Sequence, residues 1–274
     1  MAAAARTYAM TTTTPAIDLE WAVDEDMPPG PYPRESRWVF RRVPEVVTEA
    51  ATRGRPARVL DIACGLGGQM ALLRERGCET WGLDASMALV RHCQRQFARA
   101  GGAPLVCGVA ESLPFRSNSF DRVVCQGSLD HFARPRAFMA ELARILKPDG
   151  RAVIALANFE SLSCRLGRGL YRAKELLGIP VMGGRAYWQI PPNHTFKGDY
   201  AVLRAMASPW LRLERCQGVS MLWLFRRWSL FVEALPEDVA WALLRTVDRI
   251  ARRMPGLSDM MVSVWRPTKA GGTR

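Results

Sequence analysis

From residue 57 to residue 157 short apolar runs alternate with stretches of helical periodicity, and this constrains the fold more than any other feature of the chain. Strands are read at Arg58–Ile62, Thr80–Leu83, Pro104–Gly108, Arg122–Cys125 and Arg151–Ala157. Between them fall a helix with Leu66, Met70 and Leu73 on one face and a stop at Gly77, and a helix capped by Ser86 with Val90, Cys93, Phe97 and Ala100 in step. A third helix carries Phe138, Leu142 and Ile145. Strands that alternate with helices form βαβ units, and βαβ units build a parallel sheet covered on both faces.

The flanks are less regular. Residues 1–34 are Pro- and Thr-rich, hold an acidic patch (Asp24, Glu25, Asp26), and read as a tail before a first helix near Trp38–Ala51. A single domain is expected over 35–268, with a core at 57–157, insertions at 160–193 and 221–256, and a short tail at 269–274. Another helix is read at Gly198–Met206, and late strands at Leu211–Ser220 and Met260–Trp265. No sustained apolar window suggests a secretory signal or a membrane span, so a cytoplasmic protein is expected. The seven cysteines form no C-x-x-C pair, and a single adjacent histidine, His92 beside Cys93, makes no ligand cluster, which fits a reduced protein with no metal site. A net charge of +12 would ordinarily suggest nucleic acid. Here the excess is almost all arginine, dispersed over nearly every segment, with lysine only at 147, 174, 197 and 269. That bias reads as GC-rich codon usage, and no nucleic-acid partner is expected.

The loop after the first strand, Val59-Leu-Asp-Ile-Ala-Cys-Gly-Leu-Gly-Gly68, sits where doubly wound sheets bind ligands. It lacks the G-x-x-x-x-G-K-[ST] of a triphosphate loop. It also lacks the third glycine of a dinucleotide loop. Asp61 would repel a pyrophosphate and suits a cationic centre or an ammonium. Asp84 ends the second strand, where a carboxylate accepts hydrogen bonds from ribose hydroxyls. Taken alone, the glycines could be a tight turn and Asp84 a helix cap. Together they indicate a nucleoside-type ligand without pyrophosphate.

Five segments in order carry a family resemblance. Val59–Gly67, Gly82–Met87, Gly108–Phe115, Ser119–Val124 and Glu141–Gly150 resemble the successive motifs of class I S-adenosylmethionine-dependent methyltransferases of the small-molecule type. The resemblance implies an α/β, Rossmann-like, doubly wound, mostly parallel seven-stranded sheet with helices on both faces and helical insertions in the C-terminal third. It implies S-adenosylmethionine as cofactor. The backbone around Ala63, Gly65 and Gly67 would hold the methionine moiety, with Asp61 near its ammonium, Asp84 on the ribose, Met87 against the adenine, and Val109, Ala110 and Glu111 along the adenine edge. Gln126, at the end of the fourth strand, joins this set. Two departures stand out. Ala63 replaces the usual first glycine, a mild change, and Val109 replaces the Asp that usually binds the adenine amino group.

The family's acceptor site implies candidates over the fourth and fifth strands. His131 is the best base by position and by the ordinary pKa of imidazole, against a role in packing the loop. His194, in PPNHTF, is the second catalytic candidate, against a turn-stabilising role. His92 is expected to face solvent. Met221–Phe231, with Trp241, could hold a greasy acceptor or touch a membrane surface, although packing of the insertion onto the sheet is the plainer reading. The expected function is in-line methyl transfer to a small, lipophilic or aromatic acceptor. The alternatives are a non-catalytic S-adenosylmethionine or S-adenosylhomocysteine binder and a nicotinamide oxidoreductase. The acceptor, the atom methylated and the oligomeric state are not written in the motifs.

Overall fold

Successive strand residues feed opposite layers of the molecule. Val59, Val124, Val153 and Ala155 pack into one buried cluster, while Leu60, Ile62, Val123, Cys125, Ile154 and Leu156 pack into the other. This is the period-two alternation of a pleated strand, here apolar on both sides because both faces are covered. The computed structural model describes residues 32–54, 58–99, 101–180 and 184–268. The acidic patch, position 100 of the expected helical face, and the 1–31 and 269–274 tails lie outside the described residues.

Seven strands form the sheet: β1 (Arg58–Ile62), β2 (Glu79–Asp84), β3 (Leu105–Cys107), β4 (Phe120–Gln126), β5 (Leu146–Ala157), β6 (Leu211–Val219) and β7 (Met260–Pro267). Their order is β3-β2-β1-β4-β5-β7-β6. The first five pair in parallel, and β7 runs antiparallel to both β5 and β6. The sheet reverses order between β1 and β4, the switch point at which such sheets bind ligands. β5 begins earlier than the expected Arg151, because Leu146 pairs with Phe120 before a register shift restores pairing at Arg151.

Eight helices are described: α1 (Arg34–Ala51), α2 (Gly68–Glu75), α3 (Met87–Ala98), α4 (Pro135–Ile145), α5 (Leu162–Leu176), α6 (Tyr200–Ala207), α7 (Arg226–Ala234) and α8 (Glu237–Ala251). Polar caps account for several starts. Ser86, Ser161 and Asp199 accept from Leu89, Cys164 and Val202 N–H, each three residues on. Leu66 is not on the face of α2 as expected; it lies in the turn before it, because the helix begins at Gly68. α1 begins four residues before Trp38, since the Arg34 guanidinium donates to the carbonyls of Leu235 at 2.6 Å and Val232 at 3.2 Å.

Buried faces assign the layers. α4 and α6 contribute Phe138, Met139, Leu142, Leu203 and Met206 to one cluster. α1, α7 and α8 contribute Val39, Val43, Val46, Val232 and Leu244 to the other. The C-terminal end of α1 meets the start of β4, where Arg122 donates to the Arg53 carbonyl. α1 therefore runs against the parallel strands, and its N-terminal end lies at their carboxyl edge. Val219, the last residue of β6, pairs with Met260, the first of β7, which brings the 220–225 segment to the same edge.

Candidate functional site

The carboxyl edge gathers the loops that follow β1, β2 and β3, and Asp84 fastens them together. Its Oδ2 accepts the Gly65 N–H at 2.9 Å and its Oδ1 accepts the Ser86 N–H at 2.9 Å. Its carbonyl accepts the Gly108 N–H at 2.9 Å. The residue read as a ribose ligand is thus also the clasp of the site. A carboxylate has about four acceptor positions, so the two roles are compatible.

The loop itself is set by backbone conformation. Gly65 and Gly67 have φ of 51° and 78°. Gly67 has a second reason to be glycine: a Cβ there would lie 2.8 Å from Phe97 Cε2 and 3.0 Å from Cys93 Sγ. The Cys93 thiol donates to the Gly65 carbonyl at 3.1 Å, which holds α3 against the loop. Ala63 also takes a left-handed φ of 53°. The alanine that reads as a mild departure in sequence therefore sits in a conformation that costs a β-carbon about 1–2 kcal/mol.

Asp61 is buried, and its Oδ2 has no hydrogen-bond partner among the described residues. Burial, then the neighbouring Cys93 and Asp84, push its carboxyl well above the usual carboxylate range. Gln126 Oε1, at the end of β4, is likewise buried and unpartnered among the described residues. Two orphaned acceptors beside a glycine loop fit a ligand that brings donors and positive charge. Ala110 and Glu111 are buried and Val109 is half-buried. Glu111 Oε1 accepts the Arg134 N–H at 3.1 Å, which ties the β3 loop to the start of α4. Met87 stands 47% exposed at the first turn of α3, an apolar side chain left half open to solvent.

On the other side of the switch point the two candidate histidines prove to be one feature. The rings of His131 and His194 lie 4.6 Å apart, edge to face. Asp130, beside them, is buried, with Oδ2 at 3.0 Å from His194 Nδ1. The Thr195 N–H donates to the Asp130 carbonyl at 2.7 Å, stapling the 193–195 loop to the loop after β4. A backbone hydrogen bond to Asn193 holds His131, whose pKa is lowered chiefly by burial. Asp130 was not singled out in the sequence. The signal available was its place in Leu129-Asp-His131, but its second partner lies more than sixty residues on. His92 is half-buried rather than solvent-facing.

The expected greasy segment divides. Trp223, Trp228 and Trp241 pack against the second core cluster, as the plainer reading has it, while Leu224, Leu230 and Phe231 stay exposed. Arg37 and Arg41 lie 5.6 Å and 5.3 Å from the Trp241 ring centroid, fixing that ring to α1. A larger apolar exposure, not read from the sequence, runs along α5 and just beyond it: Leu166, Leu170, Leu176, Leu177 and Ile179. Among the described residues no helix is long and apolar enough to cross a membrane.

Comparison with known proteins bears on this edge. Residues 60–154 match a family model described as a methyltransferase domain. The chain is 41% identical over 98 residues to the biotin biosynthesis bifunctional protein BioHC of Cellvibrio japonicus, covering 36% of this chain and 19% of that one. It is 32% identical over 146 residues to the demethylmenaquinone methyltransferase of Renibacterium salmoninarum, covering 53% of this chain and 60% of that one. The chain thus spans less than two thirds of either relative. Among solved structures, the PH0226 protein of Pyrococcus horikoshii superposes with a TM-score of 0.56 at 19% identity, covering 86% of this chain and 92% of that one. That likeness carries the doubly wound fold.

Proposed function

We infer that the protein, whose residues 60–154 match the methyltransferase-domain model, is a class I methyltransferase that transfers a methyl group from S-adenosylmethionine to a small, lipophilic or aromatic acceptor. The observation that carries the reading is the Asp84 clasp beside the unpartnered Asp61 Oδ2, which supports a cationic nucleoside ligand. Ala63, Gly65 and Gly67 would border the methionine moiety, Asp61 and Gln126 would accept from its ammonium, and Asp84 would take the ribose. Met87, Val109, Ala110 and Glu111 would enclose the adenine. With Val109 lacking a polar group, the adenine amino group falls to backbone or to Glu111.

Transfer is an in-line displacement at the sulfonium carbon, so the protein's task is to position the acceptor and deal with its proton. Asp130, His131 and His194 sit on the acceptor side and are assigned that task. Burial lowers the pKa of His131, which favours the neutral imidazole a base needs. The apolar residues of 221–231 and of α5 favour a greasy acceptor, in keeping with a relative named for demethylmenaquinone. A screen of phenolic, quinonoid and lipid acceptors with labelled methyl donor tests the reading: label must move to one class. In the same assay His131→Ala should lower turnover by about 10²–10⁴-fold while leaving cofactor binding within a few-fold. Unchanged turnover removes His131 from the chemistry.

A further inference from the structure

The geometry of Asp130, His131 and His194 points to a second ligand, and we propose that these three side chains bind one divalent transition ion of the Zn²⁺ class. Each residue offers one ligand atom, and the three atoms lie within 4.8 Å of one another. Two imidazoles and one carboxylate form a donor set suited to Zn²⁺, Co²⁺ or Fe²⁺ rather than to Mg²⁺ or Ca²⁺, which prefer all-oxygen sites.

Two details favour an ion over a plain Asp–His pair. Asp130 Oδ2 and His194 Nδ1 are 3.0 Å apart, yet Nδ1 has no hydrogen-bond partner among the described residues. The distance is short but the direction is wrong, as when two donor atoms face a common third point instead of each other. Asp130 is 3% exposed, and its Oδ1 is also unpartnered among the described residues. A buried carboxylate with an open oxygen has a free-energy incentive to take a cation.

The surroundings are those of a metal centre. His131 is hydrogen-bonded to the Asn193 backbone, the usual way a ligating imidazole has its tautomer and ring plane set. The Thr195 N–H bond to the Asp130 carbonyl keeps the two ligand loops in register. Three protein ligands leave a tetrahedral ion one open position, which an acceptor oxygen could occupy. The role of the ion rests on the methyltransferase reading. A hydroxyl held there loses its proton to solvent more readily, and its oxygen then attacks the sulfonium methyl as the C–S bond breaks toward sulfur. In that state the ion, not the free imidazole, stabilises the deprotonated acceptor.

The test uses the full, untagged chain, stripped by chelator and titrated with Zn²⁺ in a calorimeter and with Co²⁺ by visible absorption. One ion per chain is expected, with a Co²⁺ spectrum of nitrogen and oxygen ligation and no thiolate charge-transfer band. Asp130→Asn and His194→Gln should each weaken binding at least about 10–100-fold. The chain has three histidines, so imidazole NMR gives an internal control in the unaltered protein. Zn²⁺ should move the His131 and His194 ring signals and leave His92 in place. No binding, thiolate ligation, or a Zn²⁺ response confined to His92 overturns the proposal. Cofactor binding by the same stripped protein is measured separately: S-adenosylmethionine without ion defeats this inference alone, and ion without S-adenosylmethionine defeats the methyltransferase reading alone.

Discussion

The loops after β1 and β2 and the loops after β5 and β6 share one edge of one sheet, but they are held by different means. The first pair is joined by bonds between residues close in sequence: Gly65 to Asp84, Ser86 to Asp84, Cys93 to Gly65. The second pair is joined across the chain. Asn158 Nδ2 donates to the Ser258 carbonyl at 2.9 Å, Ser163 Oγ donates to Asp259 Oδ1 at 2.8 Å, and the Trp223 N–H donates to Asp259 Oδ2 at 2.9 Å. A local site can be rebuilt from a short motif, whereas a site made of distant partners is free to change when any one of them does. In the proposed reading the cofactor grip rests on the first kind of bond and the far side of the sheet on the second, in keeping with function that lives in sites placed on a shared fold.

The comparison can be broken from either side. The largest effect is expected at Gly67, where alanine would meet Phe97 and Cys93 and also adopt a φ of 78°. Gly67→Ala should cost about 2–6 kcal/mol in denaturant unfolding, from backbone strain plus overpacking. A cost near zero would mean that α3 does not press on the loop.

Among the loops after β5 and β6 the sensitive group is Asp259, whose pKa burial raises from 3.8 to about 7. The folded chain then holds a proton that the unfolded chain releases, so stability is full at low pH and falls as pH rises from about 4 to about 7. The whole change amounts to roughly 4 kcal/mol. Asp259→Asn, which keeps the shape without the charge, should flatten it in urea melts run across that range. An unchanged slope would show that the knot of Ser163, Trp223 and Asp259 is not what feels pH.

The smallest effect is a gain. Ala63→Gly relieves the φ of 53° and should stabilise the fold by roughly 0.5–1 kcal/mol, net of the extra freedom glycine has when unfolded. A loss of stability would place the left-handed turn elsewhere.

These contrasts also explain what could be read beforehand. β1, α3 and the Ser86 cap were legible because periodicity and capping are written within a dozen residues. Asp84 was found by its distance from Gly65, but its hold on the Gly65 and Ser86 amides was not, since hydrogen bonds to backbone leave no trace in residue type. The strain at Ala63 was invisible for the opposite reason: alanine is at home in many conformations, and only the fold shows which one is imposed. The sequence offers His131 as a first and His194 as a second catalytic candidate but not their contact, because nothing in it says that the 193–195 loop folds back on the loop after β4. The early start of α1 and the apolar face of α5 depend on partners or on solvent, which a single-chain pattern does not carry.

The central claim is that the loop from Val59 to Gly68 grips a sulfonium nucleoside and not a pyrophosphate. Calorimetric titration of the intact chain with S-adenosylmethionine, S-adenosylhomocysteine and NAD tests it most directly. Saturable one-to-one binding of the first two, no binding of NAD, and at least a tenfold loss in Asp84→Asn, about 1.4 kcal/mol, are predicted. Silence toward S-adenosylmethionine at millimolar concentration, or a preference for NAD, would contradict it.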